Sequence, residues 1–342
     1  MASRPSAASE PFTFTGLDTV LLATQAGSIT LTGIAFQDFE QLYLYARGAS
    51  SDVIFGASVF RIDAAILQAE HDIQVNGRVE TGFFGTFSGN DFVAGSGTTT
   101  AGQLNLRAGD NVNFALRQFP YGDTTVLERA GFVSIEGDTI NVPINPELES
   151  ELFFSPEATV RFKARTGNFN APDVAFSHRG GLLDIAAGQN IFVGSVFGGN
   201  ALSAGATYRS RGSTSTRSLL AGSIDVSADL SATAFVESAS TIAVGGQLSA
   251  AQVTARGNVT ANRIRVRNLD ALTAAVAAGT GGITPFLGDL NGAATEHIFN
   301  VGSLSSAGGI NFSGASSRNP VARAAASRSI LPRGSPAGTE QL

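Results

Sequence analysis

The sequence predicts an all-β fold: a single-stranded parallel β-helix (β-solenoid) with loop excursions and a disordered C-terminal tail. The first observation behind this prediction is a regular run between residues 224 and 268, in which an apolar residue recurs every five or six positions. Most of these residues are followed by a second apolar residue two positions later. The second observation is that Gly, Asn or Asp often separates the pairs, as expected at the tight corners of a coil.

The spacing of the run explains why a coil is predicted. The steps between the first members of the pairs are 6, 6, 6, 6, 5, 6 and 5 residues, which fits neither a helix nor a long hairpin strand. Three short strands joined by turns give a coil of roughly 16 to 20 residues, and stacking coils about 4.8 Å apart aligns their inward side chains as ladders. The first members are Ile224, Leu230, Val236, Ile242, Leu248, Val253, Val259 and Ile264.

Looser phrases on both sides of the run extend the predicted β-helix over residues 13–313. Glycine turns beside apolar-x-apolar triplets recur in phrases such as QAGSITLTG, AGQLNLRAGD and SAGGINFSG. Residues 1–12 are predicted to be loose, and residues 314–342 to form a disordered tail, because apolar pairing stops there.

Three segments inside the predicted β-helix interrupt its rhythm. Residues 142–158 carry four glutamates and are bracketed by prolines, and residues 200–218 are rich in Ser, Thr and Arg, so both are predicted to be loop excursions. Residues 269–278 are predicted to form a short helix, because they are rich in alanine and place Leu272 and Val276 on one helical face.

The composition excludes several classes of function. With no Cys among its 342 residues, the chain has no disulfide framework, thiol catalysis or thiolate metal site. The net charge is −6 and the arginines are scattered, so we expect no nucleic-acid partner. No apolar run approaches about 18 residues, which predicts no transmembrane segment. The opening MASRPSAASEPF lacks an apolar central stretch, so we do not expect it to be a secretory signal.

No group of residues has the spacing of a catalytic or metal site. His71, His178 and His297 are far apart in the sequence, and a lone histidine at a turn is the preferred interpretation of each. The glutamates of residues 142–158 lack the rhythm of a calcium loop and are interpreted as solvated. Five aspartates lie next to turn residues and are interpreted as corner residues: Asp110, Asp123, Asp138, Asp184 and Asp225. We therefore predict no catalytic residue, no cofactor and no metal.

One basic stripe is a candidate binding surface. Arg263, Arg265 and Arg267 alternate with Ile264 and Val266, so strand geometry directs all three arginines outward. The stripe would suit an acidic polysaccharide or a protein partner. The alternative is that these arginines only solubilise an exposed sheet face and protect it from aggregation.

The run and several phrases outside it resemble the coils of the filamentous haemagglutinin-type β-helix family. The phrases are AEHDIQVNGRVETG at 69–82, RAGDNVNFAL at 107–116, SSAGGINFSG at 305–314 and the run at 220–268. The resemblance implies a right-handed parallel β-helix within a large exported bacterial protein, whose members act as adhesins or stalks at the cell surface or outer membrane. We expect this chain to be a piece of such a protein.

On these grounds we expect a non-catalytic structural or adhesive protein, secreted or on the cell surface, that contacts surface glycans or other surface proteins. End-to-end self-association is expected if the coil ends are uncapped. Two alternatives remain open. A polysaccharide-degrading lyase or hydrolase on the same fold predicts carboxylates clustered in a groove. A polymer-forming solenoid resembling the bactofilins predicts filaments from the purified chain.

Overall fold

The computed structural model describes residues 12–14, 18–56, 59–94, 98–113, 132–142, 151–154, 159–178, 182–271, 274–285 and 298–310. Within these ranges the chain is entirely β, and its stacked parallel strands form a β-solenoid of about ten coils. The predicted fold class is thereby confirmed. Phe12 begins the first strand, and the rest of the predicted loose start and the predicted tail lie outside the described residues.

The chain divides into two compact units, Met1–Gly188 (the N-terminal unit) and Gln189–Leu342 (the C-terminal unit). The strands of the N-terminal unit are β1 Phe12–Phe14, β2 Thr19–Thr24, β3 Ile29–Leu31, β4 Ile34–Ala46, β5 Val53–Phe55, β6 Val59–Ala69, β7 Ile73–Val75, β8 Arg78–Ser88, β9 Phe92–Ala94, β10 Thr98–Ala108, β11 Asn111–Asn113, β12 Phe132–Gly137, β13 Thr139–Asn141, β14 Glu151–Phe154, β15 Thr159–Ala164, β16 Phe169–His178 and β17 Leu182–Ala187. Those of the C-terminal unit are β18 Ile191–Ser210, β19 Thr214–Val226, β20 Leu230–Ser238, β21 Ile242–Ala255, β22 Val259–Asp270, β23 Ala275–Pro285, β24 Ile298–Asn300 and β25 Ser303–Ser306.

The broad face of the N-terminal unit is built from β2, β12, β15, β17 and the second halves of β4, β6, β8 and β10. Because its strands are parallel and in register, equivalent side chains of successive coils stack directly on one another. One inward ladder is fully buried along its length. It consists of Leu42, Ala65, Phe84, Leu104, Val133, Val160 and Leu183.

The narrow face of the N-terminal unit is built from the short strands β3, β5, β7, β9, β11 and β13 and the start of β16. Its buried ladder runs through Val53, Ile73, Phe92, Val112, Ile140 and Phe169. Near its end three phenylalanine rings pack together. Phe162 lies 5.2 Å from Phe169 and 5.7 Å from Phe176, measured between ring centroids. Such phenylalanines fill the interior without a polar group that needs a partner.

Glycine is required at the corner that joins the broad face to the narrow face. The backbone N–H of Gly89 donates to the carbonyl oxygen of Ala69, and that of Gly109 donates to the carbonyl oxygen of Ser88. A Cβ on Gly89 would collide with the carbonyl group of Glu70, and a Cβ on Gly109 with that of Gly89. The coils therefore approach closely here because these positions lack a side chain.

The C-terminal unit confirms the predicted register of the apolar pairs. All eight predicted first members are at most 2% exposed. They occupy three inward ladders in rotation, so each coil has three faces. Ile224 aligns with Ile242, then Val259 and then Val276, in steps of 18, 17 and 17 residues. The predicted coil length of roughly 16 to 20 residues is thus correct for this unit.

Two of the predicted interruptions are wrong. Residues 200–218 do not form a loop, because β18 and β19 cover nearly all of this segment. Buried residues, among them Ser210, Thr214 and Thr216, alternate there with more exposed ones. Residues 269–278 do not form a helix over their described positions: Leu269 and Asp270 end β22, and Ala275 begins β23. Stacking on the neighbouring coils overrides the helical preference of alanine there.

The third predicted interruption is only partly described. Within residues 142–158, Glu151–Phe154 forms β14, which pairs in parallel with the end of β16. Val142 is buried next to β13, and the other residues of the segment lie outside the described ranges. Among the described residues, no helix has the length and hydropathy required to cross a bilayer.

Candidate functional site

At the corner between the broad and narrow faces lies a column of side chains. Its aspartates accept hydrogen bonds from backbone N–H groups of the next coil along the chain. The backbone N–H of Asp72 donates to Oδ1 of Asp52 at 3.1 Å, and the N–H of Asp91 donates to Oδ1 of Asp72 at 3.0 Å. The N–H of Asn111 donates to Oδ1 of Asp91 at 2.9 Å. At a turn such N–H groups lack a strand partner, and a short carboxylate supplies one. We call Asp52, Asp72, Asp91 and Asn111 the corner column.

His71 sits beside this column and balances part of its negative charge. Its Nδ1 lies 2.8 Å from Oδ1 of Asp52 and 3.4 Å from Oδ2 of Asp72, and its side chain is 40% exposed. The hydrogen bond with Asp52 raises the pKa of His71, and the charges of Asp72, Asp52 and Asp91 raise it further. The protonated imidazole is therefore the favoured form in the folded chain at mildly acid pH.

The geometry of Asp52, His71 and Asp72 also has the dimensions of a metal site, with one ligand atom from each residue lying within 4.8 Å of the others. However, Oδ1 of Asp52 already faces the imidazole Nδ1 and accepts the N–H of Asp72. Oδ1 of Asp52 and Nδ1 of His71 are thus engaged with each other, and their contact links adjacent coils.

The sequence interpretation of His71 as an isolated turn residue missed this cluster. The two aspartates are 20 residues apart, and Asp91 follows 19 residues later. These separations equal one coil, so Asp-x(19)-Asp-x(18)-Asp was the signal in the sequence. This aspartate spacing can be recognised only when the coil length is known. In the N-terminal unit the apolar phrases are too irregular to give that length.

Two of the aspartates predicted to lie at corners, Asp138 and Asp225, make contacts with arginines. Nε of Arg165 donates to Oδ1 of Asp138 at 2.8 Å, while its Nη2 donates to the carbonyl oxygens of Ala108 and Gly109. Asp225 lies 3.1 Å from Nε of Arg209. The two ion pairs join neighbouring coils, while Nη2 of Arg165 reaches a coil two steps away. His178 is buried, whereas Asp123 and His297 lie outside the described residues.

The arginine stripe, Arg263, Arg265 and Arg267, lies along β22 in the C-terminal unit. Ile264 and Val266 are fully buried between the arginines, Arg263 is exposed, and the other two are half-buried. Each arginine therefore projects from the outer side of the strand, because alternate residues of a strand point to opposite sides.

The arginine stripe has no acidic partner in the described ranges. Among the described residues, none of its members forms an ion pair, and the contact of Arg263 is a hydrogen bond of 3.1 Å from Nε to the carbonyl oxygen of Gly281. Nε of Arg267 is buried and has no hydrogen-bond partner among the residues that the structure describes. By contrast, the exposed Arg161 and Arg209 each lie within 4 Å of an aspartate. Within the part of the chain that the structure describes, the stripe is thus a row of positive charge without an acidic partner.

These features define the protein as a β-solenoid whose outer surface carries a corner column and an arginine stripe. No protein-family model, no curated protein and no solved structure matches the chain.

Proposed function

We propose that this chain is a non-catalytic structural or adhesive segment of a bacterial protein that is secreted or displayed on the cell surface, as in the filamentous haemagglutinin-type family. Each unit buries its ladders between stacked coils, so the side chains on its outer faces can contact a partner. The observation that carries the proposal is the arginine stripe, whose three cations have no acidic partner among the described residues.

An acidic polysaccharide is the partner that best fits the stripe. Alternate residues on a strand are about 6.6 Å apart, so Arg263, Arg265 and Arg267 form a linear array of cations. Guanidinium groups bind carboxylates and sulfates through charge-assisted hydrogen bonds. Other surface proteins with an acidic edge are a second partner class, and the net charge of −6 disfavours nucleic acid.

The location is tested by protease shaving of intact source cells, followed by fractionation and detection of this chain. Loss of the chain from intact cells, or its presence in the medium, supports the proposal. A chain that remains in the cytosol and is protected from protease contradicts it. Negative-stain microscopy of the purified chain separates the bactofilin-like alternative, which requires filaments.

The partner is tested with purified chain and polygalacturonate, with dextran as the neutral control. We expect the double variant Arg263→Gln, Arg265→Gln to lose most of its affinity for polygalacturonate. Arg256→Gln is the matched control, since Arg256 is an exposed arginine at the turn between β21 and β22. Equal binding by all three chains would contradict a role for the stripe, and preferential binding to duplex DNA would contradict the ligand class.

The enzymatic alternative is favoured by one observation, the contact of His71 with two carboxylates. A half-exposed histidine beside an aspartate can act as a general base. This alternative predicts that the purified chain releases reducing ends or unsaturated products from polysaccharide, and that His71→Gln abolishes the release.

A further inference from the structure

The outer surface of the broad face carries a group of apolar and aromatic side chains on its first four coils. These side chains alternate with buried residues along β2, β4, β6 and β8. Two of them are strongly exposed: Leu21 at 60% and Phe87 at 44%. We call the group the aromatic platform. It consists of Leu21, Tyr43, Tyr45, Ile66, Phe83 and Phe87.

The rings of the aromatic platform are held in defined orientations. Tyr43 and Tyr45 are stacked, with ring centroids 6.2 Å apart and planes inclined by 12°. Phe83 leans over Gly85, where a Cβ would come within 2.8 Å of the Cε1 atom of the ring. Glycine at position 85 therefore leaves room for the Phe83 ring to lie against the strand. The result is a ring-lined surface rather than a set of isolated side chains.

Polar groups surround the rings. The hydroxyl of Tyr43 donates to Oε1 of Gln41 at 2.8 Å. The exposed amides of Gln68, Gln103 and Asn105 lie at neighbouring outward positions. Along the side of the rings, the guanidinium carbon of Arg107 lies 5.7 Å from the Phe87 ring centroid. Arg107 forms no ion pair with any described residue, whereas Arg161 and Lys163, farther along the same face, each have a carboxylate within 4 Å.

We propose that the aromatic platform binds a glycan chain. A sugar ring offers a face of C–H groups that packs on aromatic rings, and its hydroxyls can pair with the surrounding amides. A purely apolar partner would bury those amides without hydrogen bonds, at a cost in free energy. Glu136 lies beside Arg107 in register on β12, yet no ion pair joins Arg107 to a described residue. The positive charge of Arg107 would complement a carboxylate or sulfate on the glycan.

The size of the platform also distinguishes a glycan from a second copy of the chain. Three outward positions along a strand and four coils span about 13 Å by 14 Å, on the order of 200 Å². A stable protein interface needs about 800 Å² from each partner. The platform is therefore too small for a stable dimer but matches a few consecutive sugar residues.

This inference rests on the proposed adhesive function for its ligand class, but it uses different residues from the arginine stripe and a different experiment. Binding is measured with the purified full chain and three hexasaccharides: cellohexaose, xylohexaose and hexagalacturonate. Binding of the pure protein is independent of where the chain is located in the cell. Failure of the surface-shaving experiment and failure of this one are therefore distinguishable.

We expect at least one hexasaccharide to bind, and the double variant Tyr43→Ala, Tyr45→Ala to weaken that binding at least tenfold. Phe87→Ala is a second variant at a more exposed position, in case the tyrosine variant folds poorly. Leu182→Ala is the matched control, because Leu182 is 43% exposed on the same face but outside the platform. Circular dichroism and the melting temperature verify the fold of each variant.

If hexagalacturonate binds, Arg107→Gln should weaken its binding. The same change should leave the binding of the neutral cellohexaose and xylohexaose unaltered. The proposal is overturned if none of the three sugars binds at millimolar concentration, or if the folded platform variants bind as well as the Leu182→Ala control. It is also overturned if sedimentation shows a dimer that the Tyr43→Ala, Tyr45→Ala variant abolishes, because the platform would then be occupied by a second copy.

Discussion

The hydroxyl groups of Tyr208 and Thr214 lie 2.8 Å apart inside the C-terminal unit, where both residues are essentially inaccessible to solvent. Tyr208 stacks on Ile224 and Thr214 stacks on Leu230, so the hydrogen bond joins two different inward ladders across the interior of one coil. Burial raises the pKa of Tyr208 despite the opposing effect of this hydrogen bond, and the phenol therefore remains neutral. This paired polar contact thus connects two ladders within a mainly apolar core.

Breaking this pair from one side should destabilise the protein. In Tyr208→Phe the Thr214 hydroxyl remains buried without its partner, and in Thr214→Val the Tyr208 hydroxyl does. Each should cost about 1–3 kcal/mol in the free energy of unfolding. The double variant replaces both polar groups and should be less destabilised than the sum of the two single changes. Urea unfolding of the four proteins measures the coupling, and strict additivity would contradict it.

A second buried hydroxyl predicts a change of the opposite sign. Thr86 lies in a ladder between Leu67 and Leu106, and its buried Oγ1 has no hydrogen-bond partner in the described part of the chain. Thr86→Val keeps the shape and removes the unpaired hydroxyl, so it should stabilise the fold by about 1 kcal/mol. Thr216→Val is the control, because Oγ1 of Thr216 donates to the carbonyl oxygen of Ser218 and its loss should destabilise. A lower melting temperature for Thr86→Val would contradict this prediction.

The register of the C-terminal unit predicts different effects at adjacent positions of one strand. Val259 is fully buried between Ile242 and Val276, whereas Thr260 is exposed. Val259→Asp should cost more than about 3 kcal/mol, because it places a carboxylate in an apolar ladder. Thr260→Asp should change stability by less than about 0.5 kcal/mol. Similar thermal unfolding of the two variants would invalidate the register.

His71 predicts a pH dependence of stability. Its pKa is raised above 6.5 in the folded chain, so the protonated imidazole stabilises the fold. This contribution is fully present below the unfolded pKa of 6.5 and is lost as the pH rises through the higher folded pKa. The melting temperature of the natural chain should therefore exceed that of His71→Gln most at pH 5, and the difference should shrink by pH 9. A difference that is constant with pH would show that the contact carries no charge.

The sequence predicts the C-terminal unit better than the N-terminal unit for a physical reason. From Ile224 to Ile264 the coils have nearly constant length, so the apolar spacing alone assigns each residue to a ladder. In the N-terminal unit equivalent residues are separated by unequal intervals, for example 23 residues from Leu42 to Ala65 and 29 from Leu104 to Val133. The spacing there does not predict which residues meet.

The predicted loop at residues 200–218 was wrong, and the His71 cluster was missed, because contacts between coils outweigh the preferences of the local sequence. Polar Thr214 and Thr216 face the interior, because Tyr208 and a backbone carbonyl supply their partners, and a polar composition therefore does not indicate a loop. The outward placement of the arginine stripe follows directly from alternation along a strand. The meeting of His71 with Asp52 depends on the length of one coil and cannot be deduced from either residue alone.

The alignment of Ile242 with Val259 has a consequence for how such a gene can change length. Their backbone N–H groups occupy equivalent places, and that of Ile242 bonds to the carbonyl oxygen of Asn258. Removing residues 242–258, which are 17 in number, would join Thr241 directly to Val259 and preserve the inward sequence of each ladder. Deletion or duplication of one such 17-residue segment changes the length of the stack by one coil. Unequal recombination at such a boundary would therefore lengthen or shorten the stack by one coil and leave the remaining ladders in register.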